Sequence, residues 1–124
     1  MEIEGDIVTK NSPKKGMLKN MSIALAENDV AYFTEQLSNN ATWEIIGNRT
    51  IKGIDDIQEA LHALHDGKTT VLHLDHIITH GNVGSTNGHY IQNGKKIAFS
   101  NIFQFGTFRK QAKIKKITSY FIYV

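Results

Sequence analysis

The chain has 124 residues, a formal net charge of +2 and no cysteine. Its length suits one globular domain, and the lack of cysteine excludes a disulfide framework, a thiolate metal site and a cysteine nucleophile. The first ten residues have neither a basic start nor an apolar run, and no segment approaches the roughly 18 apolar residues of a membrane span. We therefore expect a single cytoplasmic domain over 1–124 with no membrane partner.

Acidic and basic residues are interspersed except in one basic cluster near the carboxyl end. Its members are Arg109, Lys110, Lys113, Lys115 and Lys116. Such a cluster can contact phosphates, but no aromatic side chains alternate with these cations to stack on bases. We interpret the cluster as charges that keep a strand edge from pairing with other chains, and we expect no nucleic-acid partner.

Two helices are predicted in the first forty residues. Ser12-Pro13 is typical of an N-cap followed by proline in the first turn, which predicts a helix over 13–27. Its apolar stripe repeats at helical spacing and comprises Met17, Met21, Ala24, Leu25 and Asn28. Asn28-Asp29 ends this helix and caps a second one over about 30–38, which the turn residues Ser38-Asn39-Asn40 stop.

Alternating patterns dominate the rest of the chain. They predict a strand over 41–46, a turn at Gly47-Asn48 and a short strand over 50–52. A third helix follows Gly53, with Asp55 and Asp56 in its first turn and a buried stripe of Ile57, Ala60, Leu61 and Leu64. Long strands are predicted over 69–80, 83–93, 95–106 and 112–124, and Asn93-Gly94 is a strong hairpin signal.

This order of elements predicts an α+β domain in which helices lie on one side of a mainly antiparallel sheet. Strands of this length must curl, so we expect a cone-shaped, curved antiparallel or mixed sheet wrapped around three helices from the amino-terminal half. The inside of such a cone is a natural place for a small molecule.

Six segments carry a resemblance to a known family. They are Ala26–Asp29, Ala41–Gly47, Ile51–Ile57, His80–Gly88, Asn101–Phe105 and Ala112–Tyr120. Together they resemble the SnoaL-like branch of the nuclear transport factor 2-like superfamily, whose cystatin-like cone fold they imply over nearly the whole chain. Relatives include isomerases, cyclases, dehydratases, epoxide hydrolases and binding domains, so the resemblance implies a fold without fixing the chemistry.

Ketosteroid isomerases of this superfamily use an aspartate base, with a tyrosine and a protonated aspartate as hydrogen-bond donors. When the segments are matched to those of the isomerases, Met21 occupies the position of the tyrosine and Ile45 that of the aspartate base. Asn101 occupies the position of the protonated aspartate. Asn101 can still donate to a carbonyl, but no proton acceptor stands opposite it. The resemblance therefore argues against steroid isomerisation.

Strand alternation assigns side chains to the pocket once Asn101 is placed inside, as the resemblance implies. Phe99, Phe103 and Phe105 then share its face, as do Thr86, Gly88 and Tyr90 in the preceding strand and Ile117, Ser119, Phe121 and Tyr123 in the last. The predicted ligand-binding residues are Met17, Met21, Trp43, Ile45, Leu64, His76, Tyr90, Asn101, Phe103, Ser119 and Phe121. An aromatic wall with a few polar groups suits an apolar or aromatic ligand.

The strand over 69–80 is ambiguous because both of its faces carry histidine. Apolar content favours Leu72, Leu74, His76, Ile78 and His80 as the inner set, which places His76 in the pocket wall as a candidate acid or base. A histidine satisfied by a neighbouring group is the alternative.

Metal chemistry has only faint support in the sequence. His73 and Asp75, with His76 or His89, resemble two histidines and a carboxylate around iron, but His76 is predicted on the opposite face from His73. His62, His65 and Asp66 are interpreted as a polar helix end. We expect neither a metal nor a cofactor.

Three functions remain open. The first is a small-molecule-binding protein without catalysis. The second is an isomerase, cyclase or hydrolase that uses Asn101 with His76 or Tyr90, and the third is a dimerisation or partner-binding module. A homodimer is predicted through an outer face of Ser100, Ile102, Thr118, Tyr120 and Ile122, because an exposed apolar patch ordinarily marks an interface.

Overall fold

A computed structural model describes residues 1–5, 12–64, 68–107 and 112–124, except for the side chain of Leu64. The helices are α1 (Pro13–Glu27), α2 (Val30–Glu35) and α3 (Ile54–Leu64). The strands are β1 (Glu2–Glu4), β2 (Leu37–Ile45), β3 (Arg49–Lys52), β4 (Thr69–His80), β5 (Val83–Gln92), β6 (Lys95–Phe105) and β7 (Ile114–Tyr123). Four residues named above lie outside the described residues: Arg109, Lys110, His65 and Asp66.

The start of α1 and its junction with α2 follow the predicted capping chemistry, but α2 ends at Glu35 instead of about residue 38. The Ser12 hydroxyl accepts a hydrogen bond from the backbone N–H of Lys15, and Pro13 opens α1. Asn28 ends α1 in the left-handed conformation at φ 57°, which asparagine tolerates better than most residues. The Asp29 carboxylate then accepts from the N–H of Tyr32 at the start of α2. The Asn28-Asp29 pair therefore ends one helix and caps the next, as predicted.

The strands form one curved, unclosed sheet in the order β1-β4-β5-β6-β7-β2-β3. Neighbours in the meander from β4 to β7 are antiparallel, whereas β1 pairs in parallel with β4 and β2 in parallel with β7. The sheet is thus mixed, and the predicted α+β class with three helices from the amino-terminal half is confirmed. None of the described helices has the length and apolar composition of a membrane span.

Two strand predictions are wrong. β1 was missed because its exposed Glu-Ile-Glu sequence carries no apolar pattern, although its backbone pairs with Val71–His73. β2 begins at Leu37 instead of residue 41, so Ser38–Asn40 extend the strand where the turn residues predicted a stop. Leu37 is buried opposite Ile114 of β7, and this pairing outweighs the turn preference of Ser38–Asn40. The ladder between β2 and β7 is irregular between Leu37 and Thr42.

The core lies between α1 and the inner face of the sheet, where α1 packs against β4 and β5. Phe99, Phe103 and Phe105 are buried on that face, as predicted from β6 alternation. Gly84 of β5 permits the close approach of α1, because a Cβ at this position would overlap the side chain of Leu18. The helix therefore seals much of the cone interior.

Candidate functional site

A row of polar side chains crosses the buried face of the sheet. Thr86 of β5 pairs with Asn101 of β6, which pairs with Ser119 of β7, and all three side chains are buried. The indole N–H of Trp43 donates to Ser119 Oγ over 2.8 Å. The Ser119 hydroxyl in turn donates to Asn101 Oδ1 over 2.6 Å, a length typical of O–H···O bonds.

The hydrogen bond from Trp43 fixes the orientation of the Asn101 amide. Because Ser119 Oγ already accepts from the indole, its own proton needs an acceptor, and Asn101 Oδ1 supplies it. The Nδ2 group of Asn101 therefore points away from Ser119. At the start of the row, the Ser22 hydroxyl of α1 lies 3.3 Å from Thr86 Oγ1 and 3.1 Å from the Leu18 carbonyl.

Two buried polar atoms in this region have no hydrogen-bond partner within the described part of the chain: Asn101 Nδ2 and the Tyr90 hydroxyl. Burial raises the pKa of Tyr90 well above its ordinary value, and a hydrogen-bonding interaction with the Asn101 side chain offsets part of that rise. The two groups therefore lie close together, although neither has a partner at full hydrogen-bond geometry. Tyr90 therefore stays protonated at neutral pH and can donate a hydrogen bond. An unpaired buried polar group costs about 1–3 kcal/mol, so both atoms favour an incoming acceptor.

A cleft opens at the end of the sheet where β2, β5 and β7 end and β6 begins. We call it the mouth cleft; its volume is about 320 Å³. It is lined by Leu25, Ile45, Ile46, Gly47, Asn48, Tyr90, Gln92, Ile97, Phe121 and Tyr123. The Tyr90 ring stacks on Phe99 with 4.4 Å between ring centroids, which holds this aromatic wall in place.

A second space, the inner void, lies deeper in the cone. It is lined by Met21, Leu25, Phe33, Asn101, Phe103, Ile117 and Ser119. It has no room for a water molecule. The interior around Asn101 is therefore closed, and the open binding space begins at the mouth cleft.

The predicted site residues divide between these two spaces. Ile45, Tyr90 and Phe121 line the mouth cleft, whereas Met21, Asn101, Phe103 and Ser119 line the inner void. Trp43 is fully buried and supports the void through its bond to Ser119. Met17 is partly buried against the core, and the side chain of Leu64 lies outside the described structure.

Several lining residues were not among the predicted site residues. Leu25 belonged to the predicted stripe of α1 but was assigned only to packing. Ile97 extends the inward series of Phe99 and Asn101 by one step, so strand alternation could have found it. Ile46, Gly47 and Asn48 form a turn. No periodic pattern in the sequence predicts that this turn borders the cleft.

The prediction that His76 lies in the pocket wall is wrong. Leu74 pairs with Gly88 and His76 pairs with Asn87, so Asp75 is an extra residue that forms a β-bulge. The bulge reverses the alternation, because Ile77 takes the buried position and His76 is exposed. His76 Nδ1 lies 3.2 Å from Asn87 Oδ1 on the outer face. Contrary to the prediction, His76 and His73 therefore share a face.

His73 lies in a charged cluster on the outer face of β4. Its Nδ1 is 3.3 Å from a Glu4 carboxylate oxygen, its Nε2 is 3.1 Å from Asp75, and its ring stacks on His89. The cluster thus holds β1 against β4. Within the described ranges, no three histidine or carboxylate side chains are arranged to hold a metal ion.

A larger groove of about 580 Å³ lies outside the cone, between β3 and α3. Its walls carry the charged residues Arg49, Lys52, Asp56 and Glu59. These four side chains are exposed and of mixed sign, and the groove does not reach the buried polar row. The mouth cleft, which is bordered by Tyr90 and adjoins the inner void, is the better candidate site.

Comparison with known proteins confirms the class of the fold. The chain has the nuclear transport factor 2-like fold, as the sequence analysis predicted. No family model matches the sequence. No curated protein sequence matches it either.

Three solved structures illustrate the likeness. A nuclear transport factor 2-like protein of unknown function from Burkholderia xenovorans superposes with a TM-score of 0.74 at 22% identity, over 92% of this chain and 86% of that one. A protein provisionally described as a SnoaL-like polyketide cyclase, from Shewanella denitrificans, gives 0.71 at 13% identity, over 90% and 92%. An epoxide hydrolase/cyclase-like enzyme of pyran ring formation in the polyether salinomycin gives 0.69 at 14%, over 93% and 95%. At these identities the likeness concerns the fold.

Proposed function

We propose that the chain binds a small apolar or aromatic molecule in the mouth cleft and does not itself catalyse a reaction. The lining of the cleft is the observation that carries the proposal. Tyr90, Phe121 and several aliphatic side chains offer apolar surface, while Asn48 and Gln92 offer neutral polar groups. A mostly apolar concave site with a few polar groups is typical of small-molecule binding.

The chemistry of the lining supports binding without proton transfer. Among the described residues that line the mouth cleft there is no carboxylate, histidine, lysine or arginine. Burial raises the pKa of Tyr90, so its hydroxyl is a neutral donor and a poor base. His76, the other predicted acid or base, is exposed on the outer face. General acid–base catalysis needs a group whose pKa lies near the working pH, and none lines the cleft.

The proposal can be tested with the neutral fluorescent ketone 6-propionyl-2-(dimethylamino)naphthalene, whose emission shifts to the blue in apolar surroundings. The matched variants are Phe121→Ser, which changes a half-buried residue of the cleft, and Ile122→Ser, which changes its exposed neighbour on the opposite face. We expect Phe121→Ser to raise the dye Kd about fivefold or more, because partial burial of a phenyl ring contributes about 1 kcal/mol. Ile122→Ser should leave the Kd unchanged.

Two results of this titration would contradict the proposal. One is that the unmodified chain does not shift the emission of the dye at any concentration tested. The other is that both variants bind the dye as tightly as the unmodified chain, which would place the dye elsewhere on the molecule.

The unpaired Tyr90 hydroxyl and Asn101 Nδ2 favour one alternative, an isomerase-, cyclase- or hydrolase-type enzyme. Two converging donors could stabilise negative charge that develops on a carbonyl oxygen. Two structurally similar proteins are described as cyclase-like, which agrees with this alternative. Deuterium incorporation into the α position of the naphthyl ketone in heavy water, measured by mass spectrometry and lost in Asn101→Leu, would favour proton-transfer catalysis over simple binding.

A second copy of the chain is the protein partner that we propose. The outer face of β6 and β7 exposes Ile102, Tyr120 and Ile122 beside the half-buried Ser100 and Thr118. This mixture of apolar and hydroxyl groups suits an isologous contact between two identical faces. The same face also suits the third function, a module that binds a different partner.

A further inference from the structure

The mouth cleft and the inner void share one lining residue, Leu25 of α1. Its side chain is 7% exposed and stands between a cleft of about 320 Å³ and a closed space around Asn101. Leu25 lies in the last turn of α1, which the Asn28 cap holds in place through its N–H to the Ala24 and Leu25 carbonyls. The position of this side chain is therefore fixed by the end of the helix.

Asn101 lies on the closed side of this boundary, and the Tyr90 side chain approaches it from the cleft. Asn101 lines the inner void and keeps its Nδ2 unpaired, because its Oδ1 is occupied by Ser119. The Tyr90 ring borders the cleft, but its hydroxyl is buried and also unpaired. A molecule confined to the cleft gains apolar contact and leaves both groups unsatisfied. A molecule that passes Leu25 gains hydrogen bonds as well.

These two groups specify the chemistry of that deeper position. Both donate a hydrogen bond, so they match a single oxygen atom with two lone pairs. A carboxylate is a poor match, because no cation is present among the described residues that line either space and a buried unpaired charge is costly. A neutral carbonyl compound is the class that fits.

We propose that Leu25 sets the depth of the ligand site and thereby decides whether a carbonyl group is recognised. With Leu25 in place, the cleft takes apolar molecules without regard to a carbonyl. With Leu25 removed or displaced, the two spaces join, and a carbonyl oxygen reaches the Asn101 amide and the Tyr90 hydroxyl. This inference rests on the proposed function, since the ligand enters through the mouth cleft.

The test compares two dyes that differ only in a carbonyl group: 6-propionyl-2-(dimethylamino)naphthalene and 6-propyl-2-(dimethylamino)naphthalene, in which a CH2 group replaces the C=O. The unmodified chain should bind them with similar Kd values. Leu25→Ala should bind the ketone about tenfold more tightly than the propyl dye, the gain expected of one or two hydrogen bonds to otherwise unpaired groups. The double variant Leu25→Ala/Asn101→Leu should lose that preference.

Leu18→Ala is the matched control, because Leu18 is a fully buried leucine on the same helix that lines neither space. It should lose stability much as Leu25→Ala does and yet show no preference for the ketone. Leu25→Val is the milder variant in case Leu25→Ala does not fold, and its preference should be smaller but in the same direction.

Two outcomes would overturn the role of Leu25. One is a ketone preference already present in the unmodified chain, and the other is equal binding of the two dyes by the Leu25 variants. If neither dye binds the unmodified chain, the proposed function fails, and crystals of Leu25→Ala soaked in benzene still test the boundary. Benzene density that runs from the cleft into the void supports the role of Leu25, and its absence there refutes it.

Discussion

The buried hydrogen bonds from Trp43 through Ser119 to Asn101 use only the oxygen of the Asn101 amide. Asn101 Oδ1 is used inside the protein, where it accepts the Ser119 proton and links β6 to β7. Its Nδ2 has no partner at full hydrogen-bond geometry and lies near the Tyr90 hydroxyl. The structural role and the candidate binding role therefore belong to different atoms of the same side chain.

Replacement of Asn101 by leucine tests this division. We expect Asn101→Leu to lower the free energy of unfolding by about 1–3 kcal/mol, because the buried Ser119 hydroxyl loses its acceptor. Removal of the unpaired Nδ2 offsets part of that loss. Urea denaturation of the variant and of the unmodified chain measures the difference.

A variant as stable as the unmodified chain would mean that the unpaired amide costs as much as the bond to Ser119 contributes. Dye affinity of Leu25→Ala/Asn101→Leu, compared with that of Leu25→Ala, tests the binding role separately. If Asn101→Leu loses stability while the double variant keeps the ketone preference of Leu25→Ala, the assignment of Asn101 to the pocket is contradicted.

At the scale of the element, the β-bulge at Asp75 decides what β4 contributes to the interior. The ladder between β4 and β5 changes register between Leu74 and His76, and the strand beyond the bulge presents Ile77 inward. Gly88 lies opposite Leu74 at this point, and a Cβ on it would overlap the carbonyl oxygen of His73. The bulge and the glycine therefore form one local arrangement.

Gly88→Ala should destabilise the chain by about 3 kcal/mol, because the overlap is with backbone that cannot rotate away. Gly16→Ala is the matched control: a Cβ there meets nothing within 4 Å, and alanine in the helix should raise stability by about 0.5–1 kcal/mol. Chemical denaturation of both variants provides the measurement. Equal stability of Gly88→Ala and the unmodified chain would show that β4 and β5 can separate at the bulge without cost.

At the scale of the whole molecule, the sheet has short edge strands and an exposed apolar patch on the outer face of its middle strands. The edge strands β1 and β3 have only three and four residues, which limits pairing with other chains at the edges. The outer face of β6 and β7 lies away from both edges, and there Ile102, Tyr120 and Ile122 are 38%, 40% and 63% exposed. A second copy would cover this face without disturbing the mouth cleft.

We predict a homodimer at micromolar concentration that the double variant Ile102→Glu/Tyr120→Glu converts to a monomer. Four carboxylates would meet in a two-fold interface, where each must lose water without gaining a partner. Sedimentation velocity measures the mass. Ile78→Glu, a change at a residue 59% exposed on β4, should leave the dimer intact. A monomer mass for the unmodified chain would contradict the prediction.

Local sequence patterns predict most of the elements and the face of most side chains. Ser12-Pro13 and Asn28-Asp29 define helix ends through local hydrogen bonds, so they are visible without tertiary structure. Once the family resemblance places Asn101 inside, alternation assigns Phe99 and Phe103 to the same buried face of β6, because each residue in an unbroken strand points opposite to its neighbour.

The position of His76, the start of β2 and the shape of the site depend on contacts between residues far apart in the sequence. One extra residue at Asp75 reverses the faces of β4, and an extra residue leaves no mark on an apolar pattern. Leu37 extends β2 because Ile114, far along the chain, supplies its partner. Whether the residues around Asn101 enclose a usable space depends on how fully Leu25 and Met21 of α1 fill the cone. Such packing depends on volumes that meet across elements distant in sequence, which no local pattern records.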